Sequence, residues 1–335
     1  MDNATYIRIR DQERVWRQMA VKEDILRIFP DYMRYLWKGA AQEAAGLQEI
    51  RLRTGREIMV VIHGKEYYLD GRGQVVQDRS GAVRVTDQDM EAVLNHVCDY
   101  SVYAFCDEIR QGFLTLPGGH RVGLAGQVIL EENGTVRNMK HIRYMNIRIS
   151  HEIKGAADPV MPYLYEDRQL LDTLLISPPG CGKTTLLRDM IRQIADGNRF
   201  SGGLNVAVVD ERSEIAGCYM GSPQNDVGMR TDVLDACPKA AGMMMLLRSM
   251  APQVVAVDEL GGEDDIRACG RVMQCGSRIL ATVHGDSLEE IVQKDFLKDL
   301  IRRQAFGRYV MLGRTGGTCR VKAIYDRGMQ LCYGS

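Results

Sequence analysis

One stretch narrows the possible folds of this 335-residue chain more than any other, the run from Thr173 to Ala195. Leu174 to Ile176 reads as a buried strand, and Leu186, Leu187, Met190, Ile191 and Ile194 recur at helical intervals. Between them Ser177, Pro178, Pro179, Gly180, Cys181, Gly182, Lys183, Thr184 and Thr185 turn the strand into the helix. Such a loop opens on a helix N-terminus, where unpaired N–H groups and the positive end of the helix dipole favour an anion. Gly180 and Gly182 let backbone approach phosphate oxygens, Lys183 brings a point charge to the β- and γ-phosphates, and Thr184 offers a hydroxyl to Mg²⁺. The pattern departs from G-x-x-x-x-G-K-[ST] at Ser177, where glycine is usual. A bound nucleoside triphosphate is the first expectation.

Two later strands end in acids. Ala251 to Leu260 is an apolar run closed by Asp258 and Glu259, the form of a Walker B segment. In a parallel sheet the carboxyl ends of the strands face the ligand crevice, so Asp258 can hold Mg²⁺ while Glu259 polarises the attacking water. Asn205 to Glu214 is a second such strand, ending in Asp210, Glu211, Arg212 and Glu214. A further carboxylate beside Mg²⁺ or water explains it, and salt bridges from Arg212 to its neighbours are the alternative. A third strand, Ile279 to Val283, leads into His284, whose neutral imidazole at that height can sense a γ-phosphate.

Composition supports a soluble globular chain of about two domains, 45% hydrophobic and 26% charged. The formal net charge of −1 gives no global field for nucleic acid, which is not the expected partner. Nine cysteines form no C-x-x-C pair and no zinc-spaced cluster, so no zinc is expected and the cysteines read as free thiols. Without a secretory signal or an 18-residue apolar run, the expected location is cytoplasmic, with peripheral membrane contact at most.

The organisation reads as an N-terminal arm over 1–20, an α+β domain over 21–150, a linker over 151–167 and an ATPase domain over 168–335. Ile25, Ile28, Phe29, Tyr32 and Leu36 follow helical spacing interrupted by Pro30. Leu47 to Leu69 reads as an antiparallel meander, and Thr86 or Asp87 caps a helix carrying Met90, Val93, Leu94, Val97 and Cys98. The basic segment with Arg137, Lys140, His141, Arg143 and Arg148 is either a solvated sheet edge or a phosphate-facing strand. Strands at Val206–Val209, Val254–Val257, Ile279–Val283 and Tyr309–Leu312 predict a mainly parallel α/β sheet, closed by a hairpin around Asp326.

The order of these motifs resembles the secretion ATPase superfamily, the motors of type II and type IV secretion and of type IV pili. It comprises the phosphate loop at 177–184, the acidic box at 210–214, Asp258-Glu259 and the Thr-Val-His-Gly at 282–285. The strand and turn at 47–57 also look like the N-terminal domain of the pilus motors, so the resemblance covers most of the chain. Within the superfamily the match is to ATPases of the channel between mother cell and forespore. The resemblance implies a smaller PAS-like domain followed by a RecA-like P-loop domain, ATP and Mg²⁺ as ligands, and a homo-hexameric ring acting on membrane-embedded channel or secretion-complex proteins. It implies that Lys183, Thr184 and Thr185 hold phosphates and Mg²⁺ and that Asp210 and Glu211 form the acidic box. Glu259 becomes the catalytic carboxylate, His284 the histidine-box residue, and Arg121 and Arg148 additional phosphate contacts.

Two further readings compete with the motor. A nucleic-acid-stimulated RecA-like ATPase shares the strand plan but lacks an identifiable nucleic-acid module here. A P-loop kinase leaves Glu259 and His284 without a purpose, and a GTPase lacks its Asn-Lys-x-Asp segment.

Overall fold

The computed structural model describes residues 21–315 and 318–334, and the N-terminal arm lies outside them. The chain divides into two compact units, Met1–His151 and Glu152–Ser335.

The first unit is built on one antiparallel sheet. Its strands are β1 (Leu47–Arg53), β2 (Met59–Ile62), β3 (Lys65–Leu69), β4 (Val75–Val76), β5 (Phe113–Thr115), β6 (Arg121–Leu130) and β7 (Val136–Arg148), in the order β4-β3-β2-β1-β7-β6-β5. Alternation sends Ile50 and Leu52 into the core with Val60, Leu114, Val122 and Ile147, and Leu47, beyond a register shift in β1, is buried as well. The helix α1 (Asp87–Val97) covers that face with Met90, Val93 and Val97, and starts with a reciprocal capping box between Thr86 and Asp89. Ahead of the sheet, helix over 21–27 stops before Pro30, and a 3₁₀ turn over Asp31–Trp37 stacks Trp37 on Phe29. Only Tyr144–Arg148 of β7 runs between β1 and β6, and the stretch before it pairs with β6 alone. Arg137, Lys140 and His141 are therefore exposed on a solvated ribbon edge, and Arg148 is exposed on the central part of the sheet.

The second unit carries a small ribbon, β8 (Tyr165–Glu166) with β9 (Gln169–Leu170), and an eight-stranded sheet. The latter comprises β10 (Thr173–Ser177), β11 (Val206–Asp210), β12 (Thr231–Asp235), β13 (Val254–Val257), β14 (Arg278–His284), β15 (Arg308–Thr315), β16 (Thr318–Asp326) and β17 (Leu331–Gly334). Their order is β12-β11-β13-β14-β10-β15-β16-β17, parallel from β12 to β15 and antiparallel beyond. The sheet is mixed, as an α/β fold with an antiparallel edge requires.

Near-continuous apolar strands follow from burial on both faces. Val206 and Val208 of β11 join one core with Leu175, Val254 and Ala256, packed by Leu187, Met190 and Ile194 of α2 (Lys183–Asp196). Ala207 and Val209 point the other way with Leu174, Ile176, Val255 and Val257. There they meet Met243 and Leu246 of α3 (Lys239–Ser249) and Ile266, Cys269 and Val272 of α4 (Glu263–Gln274). Residues 151–167, read from sequence as a linker, contribute Ala157, Val160, Met161 and Leu164 to the first of these cores.

Two features were not expected. The edge strand β12 reads Thr-Asp-Val-Leu-Asp and is only half-buried, so polar residues hide it from an apolar-run criterion. Cys181 and Cys319, expected as free thiols, are joined by a disulfide whose Cα atoms are 5.0 Å apart. No helix among the described residues is long and apolar enough to cross a membrane.

Candidate active site

The parallel register explains which side chains meet. In the β10–β14 pair Ser177 lies opposite His284, and in the β13–β14 pair Val257 lies opposite Ala281. The residues just beyond these positions, the phosphate loop, Asp258, Glu259 and His284, therefore leave the sheet at the same height on its carboxyl end.

The loop itself is a preformed turn. Ser177 is fully buried, and its hydroxyl donates to the Pro178 carbonyl, a bond that glycine there would not make. Gly180 and Gly182 have φ of 70° and 76°, a left-handed conformation that a side chain would strain, and an added Cβ on Gly182 would meet only open space. Gly182 caps α2 without any side-chain hydrogen bond to the first turn. The helix N-terminus thus presents a glycine cradle with no side-chain cap, the donor set that a phosphate oxygen fits. Pro178 and Pro179 lead into this turn, and Thr185 stands half-buried in the first turn of α2.

Four charged groups then converge. The Lys183 ammonium, only 6% exposed, lies 3.1 Å from Asp258 Oδ1 and 3.1 Å from Glu259 Oε1. Thr184 Oγ1 donates to Asp258 Oδ2 at 2.7 Å, while the Thr282 hydroxyl donates to Asp258 Oδ1. His284 Nε2 is 2.8 Å from Glu259 Oε1, and Arg212 reaches Glu259 Oε2 at 3.0 Å. The backbone N–H of Glu259 donates to Thr282 Oγ1 at 2.8 Å, and Glu259 has φ of 54°. A non-glycine residue in that left-handed region is held there by its surroundings, a common feature of sites. Burial opposes the charge on Glu259, but Lys183 and then His284 outweigh it and hold the carboxyl below its usual range.

Thr282 and Arg212 complete this cluster although neither was a site candidate. Strand register marks Thr282 as the neighbour of Asp258, whereas only the folded loop after β11 brings Arg212 across to Glu259.

Asp210, expected beside the metal, is tied to the loop that follows its own strand. Its carboxylate is almost fully buried and accepts from the backbone N–H groups of Glu214 at 2.8 Å, Ile215 at 3.0 Å and Ala216 at 2.8 Å. Burial raises its pKa, partly offset by those three amides. These bonds hold the loop that carries Glu211 and Arg212, one to Oδ1 and two to Oδ2. Glu211 forms an ion pair with Lys239 at the start of α3. Glu211, Arg212, Lys239, Asp258 and Glu259 line one small cleft together with Asp210.

Among the described residues no three His, Cys, Asp or Glu side chains converge to hold a metal. The juxtaposed Thr184 hydroxyl and Asp258 carboxylate match the alternative mode for Mg²⁺, one or two protein oxygens completed by substrate phosphates. Arg121 and Arg148 belong to the first unit, where they are register partners across β6 and β7 and Arg121 also stacks on Phe113.

A family model described as sporulation stage III, protein AA matches residues 19–331. The stage III sporulation protein AA of Bacillus subtilis is 40% identical over 305 residues, which is 91% of this chain and 95% of that one. Among solved structures, the ATPase DotB of Legionella pneumophila superposes with a TM-score of 0.58 at 15% identity, over 89% of this chain and 81% of its own. The pilus retraction motor PilT, solved with bound ADP, gives 0.54 at 15% identity over 87% and 80%. These likenesses establish an α/β fold resembling that of secretion ATPases.

Proposed function

The chain belongs to the sporulation stage III protein AA family, and on that premise we propose that it is an ATP-hydrolysing motor of the secretion type. The observation that carries this reading is the convergence of Lys183, Asp258, Glu259 and His284 beside an uncapped helix N-terminus. We assign the first unit to the PAS-like and the second to the RecA-like domain of such motors. The same reading includes a hexameric ring at the cytoplasmic face of a membrane, docked on channel proteins between mother cell and forespore.

Each residue has a definite task. Backbone N–H groups from Gly180 to Thr184 cradle the β- and γ-phosphates, and Lys183 leaves its carboxylates to pair with them. Thr184 and Asp258 would hold Mg²⁺, which would supply neutralisation of phosphate charge. Once Lys183 has turned to phosphate, Glu259 keeps two anchors, His284 and Arg212, and is free to orient a water and take its proton. Asp210 fixes the loop that presents Glu211 and Arg212. Arg121 and Arg148 are proposed as additional phosphate-binding cations. Particle symmetry with and without ATP tests the motor: a six-fold ring supports it, and a monomer under both conditions contradicts it.

A further inference from the structure

Cys181 sits at the tip of the phosphate loop, between the two cradle glycines, and is 3% exposed. Its partner Cys319 lies in β16, distant by 138 residues in sequence. Their Cα separation of 5.0 Å falls within the span that a disulfide bridges without moving backbone. Cys319 Sγ also approaches the Gly180 carbonyl at 3.8 Å, and Arg314 of β15 lies 3.9 Å from where a Gly180 Cβ would stand. The connected end of the β15–β16 hairpin, where Arg314 pairs with Cys319, therefore rests on the loop and, through the disulfide, is bonded to it.

The other buried thiols differ in kind. Burial pushes Cys98 up to about 11 and Cys218 and Cys269 up to about 12, which keeps them as unreactive thiols. Cys319 is only half-buried and faces a second cysteine.

We propose that Cys181 and Cys319 form a reversible thiol–disulfide modification site that sets the nucleotide affinity of the phosphate loop. This rests on the nucleotide-site reading above. The oxidant is a low-molecular-weight disulfide. The Cys319 thiolate attacks one of its sulfurs, forming a mixed disulfide and expelling one small thiolate. The Cys181 thiolate then attacks the Cys319 sulfur and expels the second. Two protein thiols lose two electrons in all, the small disulfide gains them, and the two protons go to the expelled thiolates. The more accessible cysteine reacts first and the buried one resolves.

The direction of the effect follows from the conformation that is locked. In it the Lys183 ammonium is paired with Asp258 and Glu259, so phosphate must draw it away while the loop backbone beside it is tethered through Cys181. A bond made in one conformation favours that conformation, so the binding-competent fraction falls and the apparent affinity falls by the same factor.

The test uses the full chain, treated with oxidised glutathione and then with dithiothreitol. Peptide mapping reads the Cys181–Cys319 cross-link, and a fluorescent ATP analogue reads affinity in each state. Oxidation is expected to form the cross-link and weaken binding by about fivefold or more, with recovery on reduction. Cys319→Ser should bind like the reduced protein and ignore the oxidant. Absence of the cross-link at every oxidant dose overturns the proposal, as does a cross-linked protein with unchanged affinity. Reduced protein that binds no analogue, whatever the mapping shows, overturns the nucleotide-site reading itself and the switch with it.

Discussion

Lys183 Nζ lies 3.1 Å from Glu259 Oε1, so the cation assigned to phosphate and the carboxylate assigned to water hold each other. Each keeps the other from being an uncompensated buried charge. Lys183→Ala removes the cation that phosphate needs and leaves Asp258 without its ammonium partner and Glu259 with Arg212 and His284 alone. Affinity for ATP should fall by about 100-fold or more. Equilibrium titration with a fluorescent analogue measures it.

Asp210 accounts for a different kind of defect. Asp210→Ala strips the acceptor from three backbone N–H groups, two of them on the buried residues Ile215 and Ala216. Orphaned buried donors make the loss at least about 2 kcal/mol in denaturant unfolding, with Asp210→Asn milder because it keeps one acceptor oxygen. Equal stability of all three proteins would contradict a structural role for these three bonds.

The first unit should carry its own acid sensitivity. His120 is 1% exposed, its Nδ1 accepts from the Ser150 N–H at 3.0 Å, and burial, with a smaller contribution from His151, lowers its pKa from 6.5 to about 4. Above 6.5 both folded and unfolded forms are neutral and the stability is fully present. As pH falls from 6.5 towards 4 the unfolded chain takes the proton first, and on the order of 3 kcal/mol is lost. Urea midpoints between pH 7 and 4.5 should show this slope, and His120→Asn, whose amide oxygen can stand in for Nδ1, should flatten it.

Arg212 predicts a graded phenotype. It holds Glu259 Oε2 from an exposed position, so Arg212→Ala should leave nucleotide affinity within about twofold and lower turnover by about tenfold, through a less well positioned carboxylate. A change in affinity alone would instead assign Arg212 to substrate binding.

How much of this was legible in the sequence depended on whether a signal was local. The loop at 177–184 and the strands feeding Asp210, Asp258 and His284 could be read, because strands buried on both faces are unbroken apolar runs and motif residues sit at their ends. Position did not reveal partners. That Asp210 accepts backbone N–H groups depends on how residues 211–216 curl back, and Thr282 matters only through the register of β13 with β14. The half-polar edge strand β12 carries too little burial to show a period, and the basic stretch left two readings open because only its last residues gain a second neighbour, through pairing with β1. The Cys181–Cys319 pairing joins residues with no local relation at all.

Phosphate release from ATP by the full-length protein, compared with Glu259→Gln, is the most direct test of the site. The wild-type chain should release phosphate, and the variant should lose about 100-fold or more of that rate while still binding the nucleotide. A variant that hydrolyses ATP at the wild-type rate, or a wild-type chain that binds ATP and never releases phosphate, would contradict Glu259 as the carboxylate that activates water.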